Sequence, residues 1–136
     1  MARIVLNYRV ETEGRDKGKT FVITEMTTDK GERWAMRALL AIANANPELD
    51  LPEGFELSGM AGLAEVGLKA LFKLEWHAIE PMFNEMMECV EFMPDTSKPQ
   101  IVRKLFDGDI EEIMTRVNLR KEILRMHVGF SKAVKV

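Results

Sequence analysis

Lys30-Gly-Glu-Arg-Trp-Ala-Met-Arg-Ala-Leu-Leu-Ala-Ile-Ala-Asn44 and Ser58-Gly-Met-Ala-Gly-Leu-Ala-Glu-Val-Gly-Leu-Lys-Ala-Leu-Phe72 are the two runs on which the reading of this chain turns. Both read as helices, and both are rich in alanine. The second adds Gly59, Gly62 and Gly67. Small residues allow two helix backbones to approach closely, so the pair is expected to form the centre on which the other elements pack. Each helical glycine costs about 1 kcal/mol relative to alanine, and close helix contact is the usual compensation. In the first run Trp34, Ala38, Ala41 and Ile42 share a face, flanked by Met36, Leu39, Leu40 and Ala43. Such a wide apolar arc suits a central helix. Thr27, Thr28 or Asp29 offers a side-chain oxygen to its first turn, and Asn46-Pro47 ends it.

Before these runs, Arg3 to Thr12 and Lys19 to Glu25 carry β-branched and aromatic residues in partial alternation. The polar, glycine-bearing stretch Glu13 to Gly18 joins them, which predicts a β-hairpin. A lone hairpin is marginal in water, so it is expected to lie on the helices or to pair with another strand.

Glu48 to Leu57 reads as a surface loop. A third helix is expected from about Trp76 to Phe92, with Trp76, Ile79, Phe83, Met86, Met87 and Val90 on its apolar face and Pro81 near its start. Pro94 to Pro99 breaks the chain, and Gln100 to Phe106 is the candidate to extend and pair with the hairpin. Asp107-Gly-Asp109 is expected to start the last helix. Its acidic first turn (Asp109, Glu111, Glu112) and basic later part (Arg120, Lys121, Arg125) suit the helix dipole. Its apolar stripe shifts from Ile110, Ile113, Met114 and Val117 to Leu119, Ile123, Met126 and Phe130, as in a helix that contacts two different things. The fold class expected is α+β, mainly α: an N-terminal β-hairpin followed by about four packed helices. It forms a single domain over residues 1–136, with a hairpin region at 1–27, a helical core at 28–130 and a mobile tail at 131–136.

The 136 residues are enough for one domain with a real core, and 46% hydrophobic with 30% charged is ordinary globular composition. The formal net charge of −3 argues against holding duplex nucleic acid through bulk charge. One cysteine, Cys89, excludes an internal disulfide and points to a reducing compartment. Met1 to Arg9 is too polar for a signal peptide, and Ser58 to Phe72 is too short and too charged for a membrane span. A soluble cytoplasmic protein is expected. Charge is unevenly spread. Residues 46–95 hold eleven acidic side chains against two basic ones, and residues 114–136 hold six basic against one acidic. Two solvated helix faces of different sign explain this, and an acidic surface meeting a basic end in a partner or second copy is the sharper alternative.

Motifs with chemistry are weak. Gly14-Arg-Asp-Lys-Gly-Lys-Thr20 is similar to a phosphate-binding loop, but it has one residue too few between its glycines and precedes a strand instead of a helix. His77 and Glu80 lie one helical turn apart and His127 is the only other histidine. No second Glu-x-x-His pair accompanies them, so no metal site is assigned. Cys89 reads as a core thiol, and no serine sits in a nucleophile elbow. No cofactor and no enzymatic activity are expected. Of the ten methionines, Met82, Met86, Met87 and Met93 cluster on or near the third helix. Methionine fills core gaps and also serves adaptable partner surfaces. Met86 reads as core, while both readings fit Met82 and Met87.

Taken in order, Phe21-Val-Ile-Thr-Glu, Glu32-Arg-Trp-Ala-Met-Arg-Ala-Leu-Leu-Ala, Gly59-Met-Ala-Gly-Leu-Ala, Glu85-Met-Met-Glu-Cys-Val, Asp109-Ile-Glu-Glu-Ile-Met-Thr-Arg, Leu119-Arg-Lys-Glu-Ile-Leu and His127-Val-Gly-Phe resemble the tail assembly chaperones of tailed bacteriophages. Each block alone is an amphipathic fragment, and their order from Phe21 to Phe130 carries the likeness. The resemblance implies a non-enzymatic protein of the host cytoplasm, absent from the finished virion. It would bind the tape-measure protein and help recruit tail tube subunits. Under it, Met82, Met87, Ile123 and Met126 are expected to contact the client. One alternative is a structural or connector protein of the phage particle that self-associates as a homo-oligomer. Another is a small nucleic-acid-binding regulator using Arg116, Arg120, Lys121 and Arg125, which the missing helix-turn-helix pattern disfavours.

Overall fold

The computed structural model describes residues 3–45 and 74–134. The expected second helix at Ser58 to Phe72 and the loop before it lie outside the described residues. Two strands, β1 (Val5–Arg9) and β2 (Thr20–Thr24), open the chain, followed by α1 (Thr28–Ala45). Then come α2 (Trp76–Met87), β3 (Val90–Met93), β4 (Arg103–Lys104) and α3 (Ile113–Val134). The strands form one antiparallel sheet in the order β1-β2-β3-β4.

The N-terminal hairpin forms as its alternation predicts. Its register sets Val5 against Thr24 and Arg9 against Thr20. The loop between the strands turns on Gly14 and Gly18, whose φ angles of 145° and 89° disfavour side chains. About four packed helices after that hairpin is the wrong architecture. The described residues hold three helices, and two of the four strands lie inside the stretch expected to be helical core. The third expected helix stops at Met87, and the chain passes through Glu88 and Cys89 directly into β3. Val90 fits a helical stripe with Met86 and Met87, but Val90 and Phe92 also alternate with Glu91 as a strand does. Pairing decides between the two: Val90 meets Ile23 and Phe92 meets Phe21 across the sheet. The short extended segment at Arg103–Lys104 does join the sheet, but its neighbour is β3 and not the hairpin.

One sheet face carries Tyr8, Phe21, Ile23, Val90 and Phe92 towards the helices. There Phe21, Ile23, Trp34, Ile79, Met86, Leu119 and Ile123 form the buried centre. The Phe21 and Phe92 rings lie 5.2 Å apart in a tilted arrangement. Trp34 fixes α1 to α2 by donating its indole N–H to the Met82 carbonyl at 2.9 Å. Pro81 stands inside α2, where it leaves the His77 carbonyl without the usual donor four residues on. Both residues face solvent, so water satisfies that carbonyl cheaply. Among the described residues no helix is long and apolar enough to cross a membrane.

Candidate functional site

The strongest polar construction joins the hairpin loop to the start of α3. Asp16 is 1% exposed, and its carboxylate accepts the backbone N–H of Glu111 at 2.9 Å and of Glu112 at 2.9 Å. Lys19 donates to the same carboxylate at 3.0 Å and to Glu111 at 3.1 Å. Burial alone would raise the Asp16 carboxyl. Hydrogen bonds from the Thr115 hydroxyl, the two amides and Lys19 outweigh it, and the group titrates at about 2. Arg15 adds a second tie, its Nε lying 2.9 Å from Glu112 Oε1.

This arrangement settles two sequence expectations. The last helix does not start at Asp107–Asp109. It starts at Ile113, and the anion at its N-terminus is Asp16, from the other end of the chain. Asp107 and Gly108 form a turn instead. There Asp109 grips the Arg103 guanidinium through both oxygens at 2.8 and 3.0 Å and accepts the Phe106 N–H at 2.6 Å. The glycine-bearing loop from Gly14 to Thr20 leads into β2, so no helix N-terminus follows it. The backbone amides that this loop meets are those of Glu111 and Glu112, just before α3, and Asp16 already occupies them.

Of the other titratable candidates, His127 and Cys89 also belong to the packed structure. His127 accepts the Met26 N–H at Nε2, 2.9 Å away, and its Nδ1 lies 2.7 Å from the Ile123 carbonyl. That pairing assigns the neutral tautomer with the proton on Nδ1. His77 and Glu80 are exposed on α2, and among the described residues no group of three His, Cys, Asp or Glu side chains is placed to hold a metal. Cys89 is buried, and desolvation pushes its thiol up to about 11, which leaves little thiolate near neutral pH. Arg120, among the basic residues read as a nucleic-acid surface, stacks on the Phe83 ring at 4.3 Å.

Of the side chains expected to contact a client, Met82, Met87 and Ile123 are buried in the core, and Met126 packs against it half-buried. The accessible apolar side chains are others. Met36 and Leu40 on α1 line a groove of about 510 Å³ whose rim is Glu32, Arg33, Arg37 and Glu85. Arg37 and Glu85 hold that rim together across α1 and α2 at 2.6 Å. Leu40 is 59% exposed, and Ile113 at the start of α3 is 80% exposed. In the sequence Met36 and Leu40 stand only as flanks of the apolar face, because an apolar arc wider than half a helix does not say which edge stays in water. A larger open cleft of about 790 Å³ lies between Arg3, Lys30, Met87, Glu91 and Lys104, and its lining mixes charged side chains with the apolar Met26, Met87, Val90 and Leu105.

The fold and these surfaces define a small α+β domain whose buried polar groups serve structure. Comparison with protein-family models, curated proteins and solved structures finds no match to the chain.

Proposed function

We propose that this chain is a non-enzymatic binding protein that acts as a tail assembly chaperone of a tailed bacteriophage in the host cytoplasm. Its client is the tape-measure protein, kept soluble until tail tube subunits are recruited around it. The observation that carries this reading is the ordered series of blocks from Phe21 to Phe130 described above. The α1 groove supports it physically. A long amphipathic client helix presents apolar residues at intervals of three and four and needs a groove tolerant of varied shapes. Met36 and Leu40 offer flexible apolar contact, and the rim carries both signs of charge. The contact role expected of Met82, Met87 and Ile123 passes to these two residues, because using Met82 or Ile123 would require opening the core and Met87 shows only an edge to the larger cleft.

Co-expression with the long, helical client, followed by light scattering on the soluble fraction, tests the reading. A soluble complex is expected where the client alone precipitates. Leu40→Glu adds a charge at an exposed site, so it should abolish the complex while leaving the melting temperature within a few degrees. A client that precipitates regardless of this protein sinks the reading.

A further inference from the structure

The two edges of the sheet differ in kind. β4 ends one side with only two residues, which presents almost no free edge. β1 ends the other side with five residues in unbroken register against β2. It has no proline and no bulge, Arg9 at its end is its one charged residue, and Ile4, Val5 and Leu6 are 40%, 55% and 37% exposed. Natural edge strands this long and apolar are normally covered or charged.

The direction of its free backbone groups follows from the ladder. The Glu25 N–H donates to the Ile4 carbonyl at 3.0 Å, and the Val10 N–H donates to the Lys19 carbonyl at 2.9 Å. In an antiparallel pair such residues alternate, so Ile4, Leu6, Tyr8 and Val10 direct their backbone groups at β2. Val5, Asn7 and Arg9 therefore direct both N–H and C=O outwards, where no strand lies among the described residues.

We propose that β1 pairs antiparallel with β1 of a second copy of this chain about a two-fold axis at Asn7, joining two four-stranded sheets into one. Charge picks both the occupant and the register. With the axis at Asn7, Arg3 stands opposite Glu11 of the second copy, and the exposed Leu6 stands opposite Tyr8. Moving the axis to Leu6 sets Arg3 against Arg9. Moving it to Tyr8 sets Val5 against Glu11 and Asn7 against Arg9. Of these three registers only that at Asn7 sets an opposite-charge pair and an apolar pair together; it also places Val5 opposite Arg9 of the second copy, whose guanidinium lies on the same face as Glu11 at 3.6 Å.

Sedimentation of the full chain tests this. The expected species is a dimer. Asn7→Pro deletes an outward N–H and no bond to β2, so it should yield a monomer with unchanged far-UV circular dichroism. Should that variant fold poorly, Arg3→Glu provides a milder probe. It turns two attractive pairs repulsive and is expected to weaken the dimer about tenfold or more, with recovery when combined with Glu11→Arg. Asn7→Cys should cross-link to itself across the axis, since directly opposed residues of a bonded pair stand about 5.5 Å apart. Val5→Cys should not. A monomeric wild type overturns the proposal, whether or not it binds an added extended peptide. So does a dimer indifferent to both Asn7→Pro and Arg3→Glu, and preferential cross-linking through Val5→Cys rejects the register.

Discussion

Protonating Asp16 weakens at once the bonds its carboxylate accepts from two amides, a hydroxyl and Lys19. Its carboxyl sits at about 2, below the ordinary value of 3.8, so the sign is that of a depressed acid. Its contribution is complete above about pH 4 and is lost as the pH falls towards 2. The shift corresponds to about 2 kcal/mol. Asp16→Ala should cost roughly 2–4 kcal/mol in urea unfolding at neutral pH, because it strands buried donors. It should also flatten the acid limb of the stability profile. An unchanged acid limb would assign that limb to other carboxylates. His127 is the second such residue. Replacing it with alanine leaves the Met26 N–H without its acceptor, for an expected loss of roughly 1–3 kcal/mol by the same measurement. Neither role was legible in the sequence. Asp16 read as a hairpin-loop residue and His127 as a stray histidine, because their partners stand 95 and 101 positions away.

Among the elements, β2 should be the last to exchange its amide hydrogens. It is flanked on both sides by paired strands, and Thr20, Phe21, Val22 and Ile23 are all buried. β4 should exchange early, being a two-residue edge. Equal protection of β2 and β4 would contradict the strand order. Trp34→Phe loses the bond to the Met82 carbonyl and leaves a cavity where the second ring of the indole stood, so α1 and α2 should come apart more easily, by roughly 2–3 kcal/mol. The hairpin and α1 were legible because alternation and a wide apolar arc are local signals. The boundary between α2 and β3 was not. A four-residue strand after a helix satisfies both periodicities, and only its partner strand chooses.

At the scale of the molecule, the hairpin loop is clasped to the start of α3 and the end of β2 to α3, so both termini of the described fold stabilise each other. Unfolding should therefore be a single transition, coincident by circular dichroism and by the fluorescence change of buried Trp34. A separate early loss of α3 would show that the clasp is weak. The sequence by itself determined the N-terminal hairpin, the helix from Thr28, a methionine-bearing α2 and a charge distribution that differs between the middle and the end. These rest on composition and on periods of two and 3.6 residues, which neighbours in the chain carry. The tertiary structure decided the rest: the four-stranded sheet, the burial of Met82, Met87 and Ile123, the exposure of Leu40, and the capping of α3 by Asp16. Those features depend on residues far apart in the chain competing for the same amides, carbonyls and apolar surface. That competition is resolved only when the elements pack.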